Sequence, residues 1–485
     1  MRLAVRLIIS GLSLAVLARL LTVVWGQIWF PFDMGFETPG LSTIRMFKEG
    51  IDPYSNDTYA HFPFNLTLYP PLYHLLVAVL PASSANPFFT GRLVALISMI
   101  AASGALFAVS NIRRLWVLPV LGISVFFCFP SVISNSAFLK NDTLALCLSA
   151  WAVVAVSRTG TARWAHLIAA LLAVLALATK QSYGAAFLAC ACYLLVQHRT
   201  KVIEFGAVWL SSLLTLCAIA HFVWGDGFWF STVTAPANPI NWGQTRRLIA
   251  MFLGQPVFGI LTLIAVTSAA TGFMEKDTTK PTASPFFLYA LFSGLLLLLT
   301  VGKVGASTNY FFEFILAQTM WLIDAKRGGI DDWLERPVWR IILASLTVCI
   351  ALNLWVTNSH QISFLRVSSQ FRTNGGLLWQ ETIATEGIHE PVVLNLATHV
   401  FTYEMQSHAV LNDPFLYRIL WSTEVLENGP MLKAIRQHAF DIIVTQRRVS
   451  ESLVADLPIR QIQEQVLKSY RYWRHGWFGE YYRPR

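Results

Sequence analysis

Mostly uncharged apolar runs, each near the ~20 residues that cross a bilayer as a helix, recur along the first three quarters of the chain. That recurrence excludes a single-anchor or peripheral arrangement and predicts a polytopic all-α membrane protein. Charged residues make up only 13% of the 485, about half of the roughly 25% usual in soluble domains. The first run, Leu7 to Trp25, follows Arg2 and Arg6 as a signal peptide would. It continues into GQIWFPFDMGFE with no small-residue cleavage site, so a retained first span is expected.

The formal charge of +9 is compatible with nucleic-acid binding, but the basic residues sit in short clusters between apolar runs: IRR, RTGTAR, QHRTK and DAKRGG. That is the positive-inside pattern, which predicts no nucleic-acid partner. Placing the N-terminus and these clusters in the cytoplasm gives spans near 7–25, 92–111, 115–131, 142–157, 164–179, 183–196, 203–224, 250–272, 285–302, 307–323 and 338–357. The expected count is about eleven. The polar loops then all fall on the other side: Asp33 to Tyr69, Ser134 to Asn141 and Gly225 to Gln244, together with everything after Asn358.

This register requires Leu72 to Leu80 not to span. The segment is too short and is bracketed by Pro70, Pro71 and Pro81. Residues 26–91 become a long first external loop. Within it GLSTIRMFKEG forms an interfacial amphipathic helix with Leu41, Ile44 and Phe47 on one side and Ser42, Arg45, Met46 and Glu49 on the other. Residues 1–357 are thus expected to form the membrane domain. Residues 358–485, where charges appear throughout, are expected to form a small soluble external α/β domain with EPVVLNLA and HAFDIIVTQ as buried strands and PMLKAIRQH as a helix. The six cysteines lie mostly in apolar stretches with no zinc-site spacing and are assigned no chemistry.

Ionisable residues at the external boundary are the functional candidates, each weighed against a plain role as anchor or cap. Asp33 and Glu37 lie four apart in FPFDMGFETPG. Together they offer a general base and an orienting or metal-binding carboxylate, or else two solvated loop acids. Asp142, beside Lys140 and Asn141 in FLKNDTLAL, reads equally as an N-cap. Lys180, next to Gln181 and Ser182, and Lys303, in GKVGASTNYFFEF with Asn309 and Tyr310, are basic residues on the external side, where positive charge is scarce. Two of them at helix breaks point to an anion site. Arg92 adds charge at the same level, whereas Arg246 and Arg247 read better as anchors. The aromatic loop segments read first as an interfacial belt. Asn56, Asn65 and Asn141 head N-x-Ser/Thr triplets, which matter only in a cell that glycosylates secreted chains.

Taken in order, the acidic cluster after the first span, KEGIDPY, NLTLYPPLYHLL, KNDTLAL, TKQSYGAAF and GKVGASTNYFFEF resemble the GT-C membrane glycosyltransferases. They are nearest the RgtA/B/C/D-like, mannosyltransferase-related group of family 39 and 83 type. The resemblance covers residues 26–325, and the VLNDPF segment is similar to the variable tail of such proteins. It implies a GT-C fold in the plasma or inner membrane with a periplasmic, extracellular or lumenal active site. It also implies a polyprenyl-phosphate sugar donor and a lipid, glycan or protein acceptor. By position Asp33 and Glu37 resemble the family's acidic pair, separated here by three residues, and Glu37 falls nearer the expected place of the base. Lys180, Lys303 and GASTNY are similar in place to groups that hold the donor phosphate, and Tyr69 opens the YPPL signature. Inverting displacement is implied, with a divalent cation (Mg or Mn) assisting in some relatives. The rival class is a transporter or flippase of lipid-linked saccharides, which calls for inverted repeats and mid-membrane charges. The chain lacks internal symmetry, and Arg19 and Glu313 are the clearest charges inside predicted spans. An O-antigen ligase or polymerase would carry its large loop late, and a scaffold would not need the ordered motifs.

Overall fold

The computed structural model describes residues 2–30, 33–83, 86–109, 117–274, 284–325, 343–352, 354, 392–396, 409–449, 457–476 and 479–485. Among these, three helices are long and apolar enough to cross a membrane: Leu7–Ile28, Phe89–Val109 and Arg199–Thr234. Shorter apolar helices cover Leu118–Cys128, Asp142–Val156, Ala165–Thr179, Ala185–Gln197, Pro285–Thr300 and Leu343–Leu352. At 1.5 Å per residue, a helix of about 15 residues reaches only ~22 Å of a ~30 Å hydrocarbon core. The described helices therefore fall where the apolar runs place them without fixing how many cross.

The predicted span at 250–272 is helical from Pro256 to Met274, and its first residues belong to a separate helix. Trp242–Leu253 and Pro256–Val266 are two helices bent by 88°, because Pro256 lacks the N–H needed to continue the first and is suited to begin the second. Asn241 starts the first of them by accepting a hydrogen bond from the Gln244 N–H. Its outward side carries the exposed Arg246 and Arg247.

Small side chains set the helix packing. Alanines of Asp142–Val156, Ala165–Thr179 and Ala185–Gln197, among them Ala145, Ala150, Ala169, Ala173, Ala185 and Ala189, are fully or almost fully buried in one core. Short side chains let helix backbones approach closely, replacing a hydrophobic drive that lipid does not supply. The segment after Pro71 is a seven-residue helix, Leu72–Ala78, and Thr38–Glu49 forms the expected amphipathic helix. Met46, expected on its polar side, is buried with Leu41 and Ile44.

Towards the C-terminus the described residues build a five-stranded sheet in the order β2-β1-β3-β5-β4. Its strands are β1 (Val393–Asn395), β2 (Ala409–Val410), β3 (Ile442–Thr445), β4 (Tyr470–Gly476) and β5 (Gly479–Pro484). β1 runs parallel to β2 and β3, while β5 pairs antiparallel with β3 and β4. β1 and β3 are the strands expected from EPVVLNLA and HAFDIIVTQ, and Gly429–Arg436 is the expected helix. Residues 358–391 of the predicted domain lie outside the described residues. The sheet's core is shared: Tyr59, Phe64 and Leu66 of the first long loop are buried with Leu394, Tyr417, Trp421 and Ile443. That shared burial fixes the C-terminal region against the loop carrying the acidic motif.

Candidate active site

Asp33 folds its own segment. Its carboxylate accepts hydrogen bonds from the N–H groups of Gly35 (2.6 Å), Glu37 (3.1 Å) and Thr38 (2.8 Å) and from the Thr38 hydroxyl (2.5 Å). Two of those donors, the Glu37 and Thr38 N–H groups, open helix Thr38–Glu49, so the carboxylate ties the turn to the helix start. The tight wrap leaves Phe36 with a positive φ of 60°.

Glu37 points the other way. Its Oε1 accepts from Arg92 Nε (2.9 Å) and the Leu139 N–H (2.7 Å), and its Oε2 from Arg92 Nη2 (2.5 Å) and the Met34 N–H (3.0 Å). Arg92 Nη1 donates to the carbonyls of Gln27 (2.9 Å) and Phe30. Both side chains are fully buried at 0% exposure. This geometry bears on two expectations: Arg92 has no open face for a donor phosphate, and Glu37 is held in a buried ion pair, although the oxygens of both acids accept hydrogen bonds. Of the two acids, Asp33 is the one with no cation within ion-pair distance among the described residues.

A second unit lies at the ends of the next helices. Lys180 closes helix Ala165–Thr179 in extended backbone, and its Nζ donates to Asp142 Oδ1 at 2.6 Å. Asn309 Nδ2 donates to the same oxygen at 2.8 Å, and the rings of Tyr69 and Tyr310 lie 5.3 and 5.4 Å from the ammonium. Burial opposes the Lys180 charge, but Asp142 and the two phenols outweigh it and hold the ammonium above its ordinary range. Burial pushes the Tyr69 phenol up to about 12, with Lys180 pulling the other way. Asn309 was expected at a phosphate, and the structure has its amide orienting Asp142. Gln181 ties loops together, donating to the carbonyls of Leu68 (3.2 Å) and Thr232 (3.0 Å). A cavity beside the pair is lined by Asp142, Lys180, Tyr183, Asn309, Tyr310 and Glu313. Glu313 accepts from the Tyr289 hydroxyl at 3.1 Å.

Lys303 is half-buried on a loop held by Gln244, which donates to the Lys303 carbonyl (2.7 Å) and that of Ala306 (3.1 Å). Burial, and then the charge of Lys180, lower its pKa. No carboxylate pairs with it among the described residues. The structure adds Lys140, which sequence reasoning noted only as a neighbour of Asp142. Its half-buried ammonium lies 5.1 Å from the Phe138 ring. Burial lowers its pKa, and the charges of Asp142, Glu37 and Asp33 work against that fall. The available signal was a lysine just ahead of a helix start on the side poor in basic residues.

The VLNDPF segment is the third part. Asn412 exchanges hydrogen bonds with the Leu66 backbone (3.0 and 3.1 Å), the Leu411 N–H donates to the Pro63 carbonyl (3.0 Å), and the Tyr417 hydroxyl donates to the Tyr59 carbonyl (2.6 Å). Asp413 caps helix Pro414–Ser422 through the Leu416 N–H at 2.9 Å. Burial raises its pKa to about 6; the Leu416 and Phe415 N–H groups work against the rise, and nearby Asp33 adds to it. A carboxylate whose pKa rises on folding from 3.8 to about 6 destabilises the fold above pH 6, and the cost fades as pH falls towards 3.8. Asp413→Asn keeps a capping oxygen, so its unfolding midpoint should exceed wild type at pH 7.5 and converge with it near pH 4.5. A variant that melts below wild type at pH 7.5 would mean the charge is used in folding.

Among the described residues no group of three or more His, Cys, Asp or Glu is arranged to hold a metal ion.

No protein-family model and no curated protein matches this chain. Among solved structures, ArnT from Cupriavidus metallidurans bound to undecaprenyl phosphate matches with a TM-score of 0.59 and 12% identity, over 98% of each chain. The same protein in the apo state matches equally. The chain therefore has an ArnT-like GT-C fold.

Proposed function

We propose that the protein is an integral membrane glycosyltransferase that moves a sugar from a polyprenyl-phosphate donor to a lipid, glycan or protein acceptor. The active site would lie on the periplasmic or extracellular face, with about eleven spans and the C-terminal sheet on that same face. The observation that carries this reading is the cluster of Lys180, Asp142, Asn309 and Tyr310 lining one cavity, on a fold whose solved counterpart holds undecaprenyl phosphate. A flippase is less favoured, because these charges gather at helix ends and loops instead of mid-span.

In the mechanism we infer, Asp33 takes the proton of the acceptor hydroxyl as its oxygen bonds to the anomeric carbon. The bond from that carbon to the phosphate oxygen breaks in the same step, and its electron pair leaves on the lipid phosphate. Lys180 and Lys303 stabilise that anion. A single displacement inverts the anomeric centre.

Lys303 has no carboxylate partner, so Lys303→Ala removes a ligand without stranding a charge. It should weaken undecaprenyl phosphate binding about tenfold, equivalent to ~1.4 kcal/mol, with wild-type melting. Native mass spectrometry across a lipid titration reads this, and equal affinity in the two proteins would remove Lys303 from the site.

A further inference from the structure

The ring pair at Phe36 and Phe415 has no role in the chemistry above, yet its placement is specific. Phe36 follows Asp33 by three residues, and its φ of 60° is unusual for a residue with a side chain. The bonds Asp33 makes around the turn hold that conformation and leave the ring 50% exposed. Phe415 comes from the C-terminal region, and the two rings lie 6.4 Å apart at 69°.

Gly305 makes room for Phe415. A Cβ at Gly305 would sit 3.1 Å from Phe415 Cε1, and the backbone there has a φ of +90°. Phe415 thus touches the loop of Lys303 on one side and the ring beside Asp33 on the other. Asn412 and Tyr417, bonded to the first long loop, hold it there.

We propose that Phe36 and Phe415 form a platform that seats the sugar ring of the donor, with the C-terminal region supplying half of it. This rests on the glycosyltransferase reading: the transferred sugar must lie between the group holding the phosphate and the group activating the acceptor, and the ring pair bridges those two loops. The negative face of an aromatic ring attracts the polarised C–H bonds on the apolar side of a pyranose or furanose. A lipid-facing belt would scatter its rings outward, whereas this pair is closed by contacts between loops.

The test compares affinity for undecaprenyl phosphate with affinity for undecaprenyl phosphates carrying glucose, mannose, galactose or arabinose. The proteins are wild type, Phe36→Ala, Phe415→Ala and Phe415→Tyr, with thermal unfolding checked in each. Wild type should prefer at least one sugar-bearing lipid over the bare phosphate. Both alanine variants should lose about tenfold of that preference while binding the bare lipid as before, and Phe415→Tyr should retain it. Alanine variants that keep the preference, or that lose both ligands equally, overturn the platform and leave the lipid-phosphate site standing. Wild type that binds none of the lipids overturns the glycosyltransferase reading and the platform together.

Discussion

Arg92→Met should lower the unfolding free energy by about 3–5 kcal/mol, the usual cost of removing one partner from a buried ion pair. Glu37 would remain as a charge in a site with 0% exposure, and the carbonyls of Gln27 and Phe30 would lose the donor they share. Glu37→Gln should be damaging for the mirrored reason, because it leaves the guanidinium buried without its carboxylate. The double change Glu37→Met with Arg92→Met removes both charges and should recover part of the loss. Thermal unfolding in detergent measures all three, and an unchanged midpoint for Arg92→Met would show that the pair is not what holds the loop.

Asp33→Asn should behave oppositely, keeping the fold and losing the reaction. An asparagine side chain still offers a carbonyl oxygen to the Gly35 and Glu37 N–H groups but loses the bond from the Thr38 N–H, so a modest drop in melting is expected with the turn into helix Thr38–Glu49 retained. What disappears is the proton acceptor, and a positioned general base contributes typically 10²–10⁴-fold. Transfer should fall by about that factor with lipid binding unchanged. The contrast between a folded, inactive Asp33→Asn and an unstable Glu37→Gln separates the two acids, whose sequence spacing leaves their roles open.

Much of the membrane fold was legible because apolar run length is a strong signal. Helices Asp142–Val156, Ala165–Thr179 and Pro285–Thr300 begin and end within about three residues of the expected ranges. The break at Gly254 to Pro256 was passed over, since hydropathy stays high on both sides and only the proline marks the bend. The candidate residues were found as isolated charges, but their pairing was not. Nothing in the spacing of Glu37 and Arg92, 55 positions apart, says that they meet, and Lys180 and Asp142 are 38 apart. The contacts of VLNDPF were out of reach for the same reason: Asn412 and Leu66 stand 346 positions apart and are joined only by tertiary packing. Lys140 was overlooked because a lysine beside a cap reads as a solvated neighbour until its burial against the Phe138 ring is seen.

The most direct test of the central claim is transfer of label from radiolabelled polyprenyl-phosphate sugars in membranes carrying wild type or Asp33→Asn, with expression and folding checked in parallel. The account predicts that wild type moves label from at least one donor in the panel to membrane lipid, glycan or protein, and that Asp33→Asn does so at a rate lower by about 10² or more. Wild-type membranes that transfer from no donor in a broad panel, or an Asp33→Asn protein as active as wild type, would contradict it.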